Sequence, residues 1–418
     1  MQSRAGTNKN AVDATEYARS RGETDMNRRQ LMVFSATTLA ARFAIADPIE
    51  QPRGSEAHSP SEGDDLPDRL LLKDWRPRSI YKIPVTEVVK ARYPVIDVHN
   101  HGVNSAEKTR EIVKAMDATG VERAVIFAGT GRPEEFAQAR AMYSAYPDRF
   151  YLWCLFDLRG VNDPGFGPGA LRSLEECHRL GARGVGELHD KGRGLDAPVG
   201  TEPKSWHKPT EFSGPGPHPD DPRMDLLFAR CAELGLPVNI HMADPIWTYL
   251  PMDTHNDGYM TAYHWRLDDK AGLLGHDGLM ESLERTLKKH RGTTFIACHL
   301  ANLDYDLTRL GVMLDRNPNL NVDFAARMAE ISTIPRFANL FFQQYQDRIL
   351  YGTDFTYSPG ELRSTFRTLE TLDEHYYYED YLDYMWPLYG LGLPDAVLKK
   401  IYRRNALRIL EPARNGAA

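Results

Sequence analysis

Five short segments carry metal-ligating side chains at spacings that allow one shared site. The first reads Asp97-Val98-His99-Asn100-His101-Gly102. Residues i and i+2 of an extended chain point to the same side, so His99 and His101 can enter one site together. The pair alone is a weak signal, because 14 histidines in 418 residues supply about half an H-x-H pair by chance. Four later segments strengthen it: Gly186-Glu187-Leu188-His189, Asn239-Ile240-His241-Met242, Ala297-Cys298-His299-Leu300 and Tyr351-Gly352-Thr353-Asp354-Phe355. Each brings an imidazole or a carboxylate to the end of an apolar run. Such groups are costly to bury unpaired. A divalent cation supplies the missing partner, and imidazole with carboxylate suits zinc, manganese or iron. His99, His101, Glu187, His241, His299 and Asp354 are therefore the expected ligands. Strand alternation points Cys298 away from this set, so it is expected in the core. His178, His207, His218, His276 and His290 fall in helical or polar stretches and are expected at the surface.

The elements that must position these residues follow a regular order. β-rich runs at 94–99, 121–129, 149–158, 182–189, 237–244, 293–301, 320–326 and 349–355 alternate with amphipathic helical stretches. Two of those stretches, SAEKTREIVKAMDATG and GLMESLERTLKKHRG, end in glycine, a helix-stop signal. Repeated β-then-α order implies a parallel sheet, and eight units imply an α/β fold of the (β/α)8, TIM-barrel type. Long loops are expected after strands 4, 5 and 8. The first, 190–222, is rich in Gly and Pro. The second, 245–277, carries Trp247, Tyr249, Tyr259, Tyr263, His264 and Trp265. The third includes an acidic aromatic tract from Glu374 to Tyr381. Loops that follow strands lie on the catalytic face of such a barrel.

Composition narrows the function. The net charge of −7 excludes a basic nucleic-acid footprint spread over the chain. Four cysteines, none in a C-x-x-C pair, exclude a disulfide scaffold and finger-type zinc. No apolar run reaches the 18 residues of a membrane span. Residues 26–46 read MNRRQLMVFSATTLAARFAIA, with Arg28-Arg29 before a short apolar stretch and Ala44-x-Ala46 at its end. That order is expected of a twin-arginine-like signal peptide cleaved near Ala46, giving an exported, periplasmic protein. Residues 1–25 are polar and patternless, so Met26 rivals Met1 as the start. Residues 47–75 are expected to be a disordered linker, and 76–418 the barrel.

The phrases VIDVHNHG, PVNIHM, FIACHLAN, ILYGTDF and IYRRNALRIL together resemble the amidohydrolase superfamily, in its amidohydrolase-related branch. The resemblance covers about residues 93–411. It implies that His99, His101, His241 and Asp354 hold a first cation. His299 would hold a second cation, or act as an acid and electrostatic stabiliser if only one is present. Glu187 resembles a carboxylate that bridges two cations in some members. A divalent cation lowers the pKa of a bound water from about 15.7 to about 7. Asp354 would take that water's proton and return it to the leaving group.

The expected activity is a metal-dependent hydrolase of a small lactone, ester or amide, with zinc as the leading metal and one or two ions per chain. Non-oxidative decarboxylation of an unsaturated or aromatic acid is the rival, and a non-catalytic exported binding protein a third reading. His189 shares the facing of Glu187 and is a candidate substrate contact. So are Arg327, which can clamp a carboxylate, and Trp247 and Tyr249, which can stack on a ring. The expected partner is a small-molecule substrate. No nucleic acid and no membrane are expected, and the aromatic tract would suit contact with a second copy.

Overall fold

Eight parallel strands form, each inside or within one residue of its expected run. They are β1 (Val95–Asp97), β2 (Val121–Phe127), β3 (Phe150–Trp153), β4 (Val185–Asp190), β5 (Val238–Met242), β6 (Phe295–Ala297), β7 (Leu320–Asp323) and β8 (Ile349–Leu350). The computed structural model describes residues 68–103, 105–196, 215–265, 272–354, 357–378 and 386–412. The signal-peptide stretch, the choice of start and residues 47–67 of the linker lie outside the described residues. So do His207, the middle of the first long loop, residues 379–381 of the aromatic tract, and the side chains of His264 and Trp265.

The helices are α1 (Ala106–Thr119), α2 (Pro133–Tyr143), α3 (Pro168–Arg179), α4 (Asp225–Leu234), α5 (Tyr259–Trp265), α6 (His276–Lys289), α7 (Leu307–Arg316), α8 (Met328–Thr333), α9 (Pro335–Gln344), α10 (Pro359–Glu370), α11 (Asp395–Lys399) and α12 (Asn405–Leu410). Gly120 ends α1 as expected, at φ 88, where a glycine carries no Cβ penalty. Helix α6 instead stops before Gly292, because His290 leaves helical geometry and its Nε2 meets Asp225 Oδ1 at 3.2 Å.

The strands pair in the order β1-β2-β3 and β4-β5-β6-β7-β8. A parallel bridge between Cys154 and Val185 joins the two sets. The ring closes where Val98 N–H donates to Tyr351 O and Asp354 N–H to His99 O, both at 2.9 Å. The result is a (β/α)8 barrel. Alternation sorts its side chains. Val95, Ile126, Leu152, Val238, Phe295 and Leu320 face the helices in one buried cluster. Ile96, Val98, Val125, Phe127, Tyr151, Trp153, Ile296 and Leu350 meet in a second cluster with Ala406, Ile409 and Leu410 of α12. That second cluster fills the barrel interior, and α12 plugs its lower end.

The long insertions need one correction. The first two follow β4 and β5 as expected, but the aromatic tract follows α10 rather than β8. It still reaches the upper rim. Tyr376 pairs with Leu388 in an antiparallel bridge. Both pack with Met328 and Ala329 at the start of α8, and with Trp247 and Trp386.

Candidate metal centre

The chain leaves four consecutive strands through left-handed residues. Ala243 follows β5, His299 to Asn302 follow β6, Ala326 follows β7 and Asp354 follows β8, all at φ between 50 and 66. Non-glycine residues rarely adopt this region, and such strain gathers at functional sites. These turns aim side chains over the upper mouth of the barrel. At Gly352 a Cβ would fall 2.8 Å from the Cβ of His99, so only glycine lets the two tips approach.

Glu187 sits at the centre, faced by five imidazoles. Its Oε1 lies 2.8 Å from His241 Nδ1, 3.4 Å from His299 Nε2 and 3.6 Å from His99 Nε2. Its Oε2 lies 3.0 Å from His189 Nε2 and 3.3 Å from His101 Nε2. Asp354 Oδ1 is 3.0 Å from His101 Nε2 and 3.3 Å from His99 Nε2. All six expected ligands therefore converge. Candidate donor atoms fall into three sets, each within 4.8 Å: His99, His101 and Asp354; Glu187, His189 and His241; and His99, Glu187, Cys298 and His299.

Other groups fix the imidazoles. Asp323 Oδ2 lies 3.0 Å from His99 Nδ1, and the carbonyl of Ala325 lies 2.7 Å from His299 Nδ1. A carbonyl only accepts, so His299 carries its proton on Nδ1 and offers Nε2 to the site. Asp323 does the same for His99, the arrangement that orients metal-binding histidines. Asp323 also accepts from Asn239 Nδ2 and His299 N–H. Beneath them, Asp97 accepts from Thr353 Oγ1 at 2.6 Å and from Asn100 Nδ2 at 3.1 Å. Burial pushes Asp97 up to about 6 against those hydrogen bonds.

The electrostatics show what the cluster lacks. Burial would raise Glu187, but His189, His99 and His101 outweigh it and hold its carboxyl well below the usual range. Asp354 behaves likewise through His99 and His101. The same carboxylates lift His101 to about 9 and His189 to about 10, although burial opposes both. His241 falls to about 3, driven by burial and then by the charge of His299. Without a cation the carboxylates draw protons onto the imidazoles. Even so, the Nε2 atoms of His99 and His241 are buried without a hydrogen-bond partner. Orphaned imidazole nitrogens beside ionised carboxylates are the donor set of a divalent cation, so these residues fit one.

The secondary candidates separate. His189 touches Glu187 and, at 3.5 Å, Asp196. Arg327 is buried, its Nε 3.5 Å from Asp304 Oδ1 and its Nη1 3.8 Å from Glu330 Oε1. Tyr249 accepts from Asp244 N–H at 3.3 Å. Asp244 in turn pairs with Lys191 Nζ at 2.6 Å, beside His241. Trp247 lies 5.7 Å from the ring of Trp386.

Two surface expectations fail, while His218 is partly exposed as expected. His276 and His290 are buried. His276 Nε2 lies 3.0 Å from Asn302 O, which ties α6 to the left-handed turn. His218 reaches Asp190 Oδ2 at 2.6 Å. Cys298 also departs from expectation, because it faces the site. β6 ends at Ala297, and His299 turns left-handed at φ 57, so alternation no longer applies. Asp323, Asn239 and Lys191 carry no motif of their own. Only their place on a strand ending in the cluster could have flagged them.

A (β/α)8 barrel with this histidine–carboxylate cluster at its strand tips defines the class: barrel enzymes with a metal-type site on the C-terminal face. The amidohydrolase family model (Amidohydro_2) matches residues 96–411, and the chain belongs to that family. Similar solved structures include an uncharacterized TIM-barrel protein from Bordetella bronchiseptica, at 17% identity, covering 76% of this chain and 98% of that one, TM-score 0.44. A 2,6-dihydroxybenzoate decarboxylase from Rhizobium is similar at 16% identity over 76% and 98%, TM-score 0.45. A zinc-bound amidohydrolase from Burkholderia multivorans is similar at 11% identity over 76% and 99%, TM-score 0.43. No curated protein matches the chain.

Proposed function

We propose that the protein is a metal-dependent hydrolase of a small carbonyl substrate: a lactone, ester or amide. The observation that carries this reading is Glu187 ringed by five imidazoles, with Asp354 beside two of them. His99, His101, His241, His299, Glu187 and Asp354 would hold the cation, with zinc preferred and one or two ions per chain. When bound, the cation polarises a carbonyl and lowers the pKa of water towards neutrality.

The chain's residues supply the rest. Asp354 is held ionised by His99 and His101, and its side chain is one-quarter exposed. It takes the proton of the attacking water and delivers it to the leaving group. His299, fixed through Nδ1, would offer Nε2 to a second cation or, where only one is bound, to the reacting carbonyl. His189, partly exposed beside Glu187, contacts the substrate. Trp247 and Tyr249 wall the approach from the loop after β5. We further propose that residues 26–46 export the protein by a twin-arginine route. N-terminal sequencing of periplasmic material should begin at Asp47, and an uncut cytoplasmic chain would reject that route.

The test is metal content per chain in wild type and Glu187→Gln, followed by turnover of lactone, ester and amide panels. About two ions, falling to one or none in the variant, with turnover of a panel member, is the expected result. One ion unaffected by the substitution, with carbon dioxide released from an unsaturated or aromatic acid, would establish a decarboxylase instead. No ion under any loading condition would overturn the reading.

A further inference from the structure

The strand-tip cluster holds one donor that no motif points to. Cys298 is fully buried. Its Sγ lies within 4.8 Å of donor atoms of His99, Glu187 and His299, and those atoms lie equally close to one another. The geometry arises from the turn. Cys298 is extended, at φ −62 and ψ 153, and His299 is left-handed, so both neighbours face inward. A second observation points the same way: His99 Nε2 is buried in this cluster without a hydrogen-bond partner. The thiol donates to Asn239 Oδ1 at 2.8 Å, a hydrogen bond that would be given up when the sulfur binds a cation.

We infer that Cys298 is a sulfur ligand of the metal centre, at an inner position bounded by Glu187, His299 and His99. The inference rests on the metal-centre reading above and adds to it a soft donor. As the metal–sulfur bond forms, the S–H bond breaks and its proton leaves to solvent. One sulfur among nitrogen and carboxylate donors favours zinc, cobalt(II) or cadmium over manganese or magnesium. The other three cysteines are buried in the apolar layer between strands and helices, away from this cluster. A sulfur signal at the metal therefore reports Cys298.

X-ray absorption of the zinc-loaded full chain needs no variant. The expected result is a sulfur neighbour at about 2.3 Å beside nitrogen and oxygen neighbours at about 2.0–2.2 Å. The cobalt(II)-loaded chain should show a sulfur-to-metal charge-transfer band in the near ultraviolet. Cys298→Ser should lose the band and its preference for zinc over manganese should fall by about tenfold or more. Zinc bound through nitrogen and oxygen alone would overturn the sulfur ligand and leave the metal centre standing. No bound zinc would overturn both. Should Cys298→Ser fail to fold, the wild-type absorption spectrum decides alone.

Discussion

The barrel carries an ionic cluster at each end, and the two are built on different terms. At the lower end, Glu122 pairs with Arg403 at 2.6 Å, and Glu411 with Arg123 at 2.6 Å. Tyr151 OH adds a hydrogen bond to Glu411 at 2.7 Å. Two carboxylates meet two guanidiniums, all of them partly exposed. This cluster is complete as folded. At the upper end, Glu187, Asp354 and Asp323 meet imidazoles, and two imidazole nitrogens stay unsatisfied. Histidine carries no fixed charge at neutral pH. The upper cluster therefore balances its carboxylates only by drawing protons onto imidazoles, whereas the lower does so with the fixed charge of guanidinium. The difference sets the lower cluster apart as self-contained and the upper as the candidate cation site.

Substitutions should break this contrast unequally. The largest effect belongs to Glu187→Gln, which removes the charge that five imidazoles share. Bound metal should fall by at least one ion per chain and turnover by about a hundredfold or more, given what losing one electrostatic contact costs in a dry site. Retained metal with retained turnover would erase the distinction between the two ends. Next is Asp323→Asn, which leaves the ligands but loosens the hold on His99. Zinc affinity should fall by about 10- to 100-fold, as for other partners that orient a metal-binding histidine. Titration against a competing chelator measures it, and an unchanged affinity would make Asp323 a core residue only.

A third effect is one of pH. In metal-free protein His101 is raised to about 9, against an unfolded value of about 6.5. A raised pKa stabilises the fold below the unfolded value, and that stability is lost as pH climbs towards 9. A bound cation replaces the proton and removes the loss. The melting-temperature gap between zinc-loaded and chelated protein should widen by several degrees from pH 6 to pH 9. A constant gap would show that protons and metal do not compete. The smallest effect is Glu411→Gln at the lower end. Partly exposed pairs contribute about 0–1 kcal/mol, so stability should drop slightly and metal content not at all. Any loss of metal there would mean that the two ends communicate.

Much of this was legible in the sequence. All eight strands fall where β-rich runs occur, because apolar alternation in a barrel is imposed by an inner and an outer core at once. The six residues of the cluster were legible because polar residues ending such runs have few other reasons to be buried. What escaped was the chain after each strand. Alternation holds only while the backbone is extended, so the end of β6 at Ala297 hid the facing of Cys298. The orienting groups Asp323 and Asn239 sit on strands with no signature beyond position. His276 and His290 looked like surface because helix sequences do not show which partners their exposed-looking faces meet.

The turn after β6 has a consequence beyond geometry. Four successive residues there, His299, Leu300, Ala301 and Asn302, are left-handed. Each such non-glycine residue costs roughly 1–2 kcal/mol. Selection for heat tolerance alone would therefore relax this turn early, with glycine at Ala301 as the simplest gain. A laboratory lineage evolved for stability would be expected to place glycine here, which keeps the left-handed path, and with it the facing of Cys298 and His299, at less steric cost.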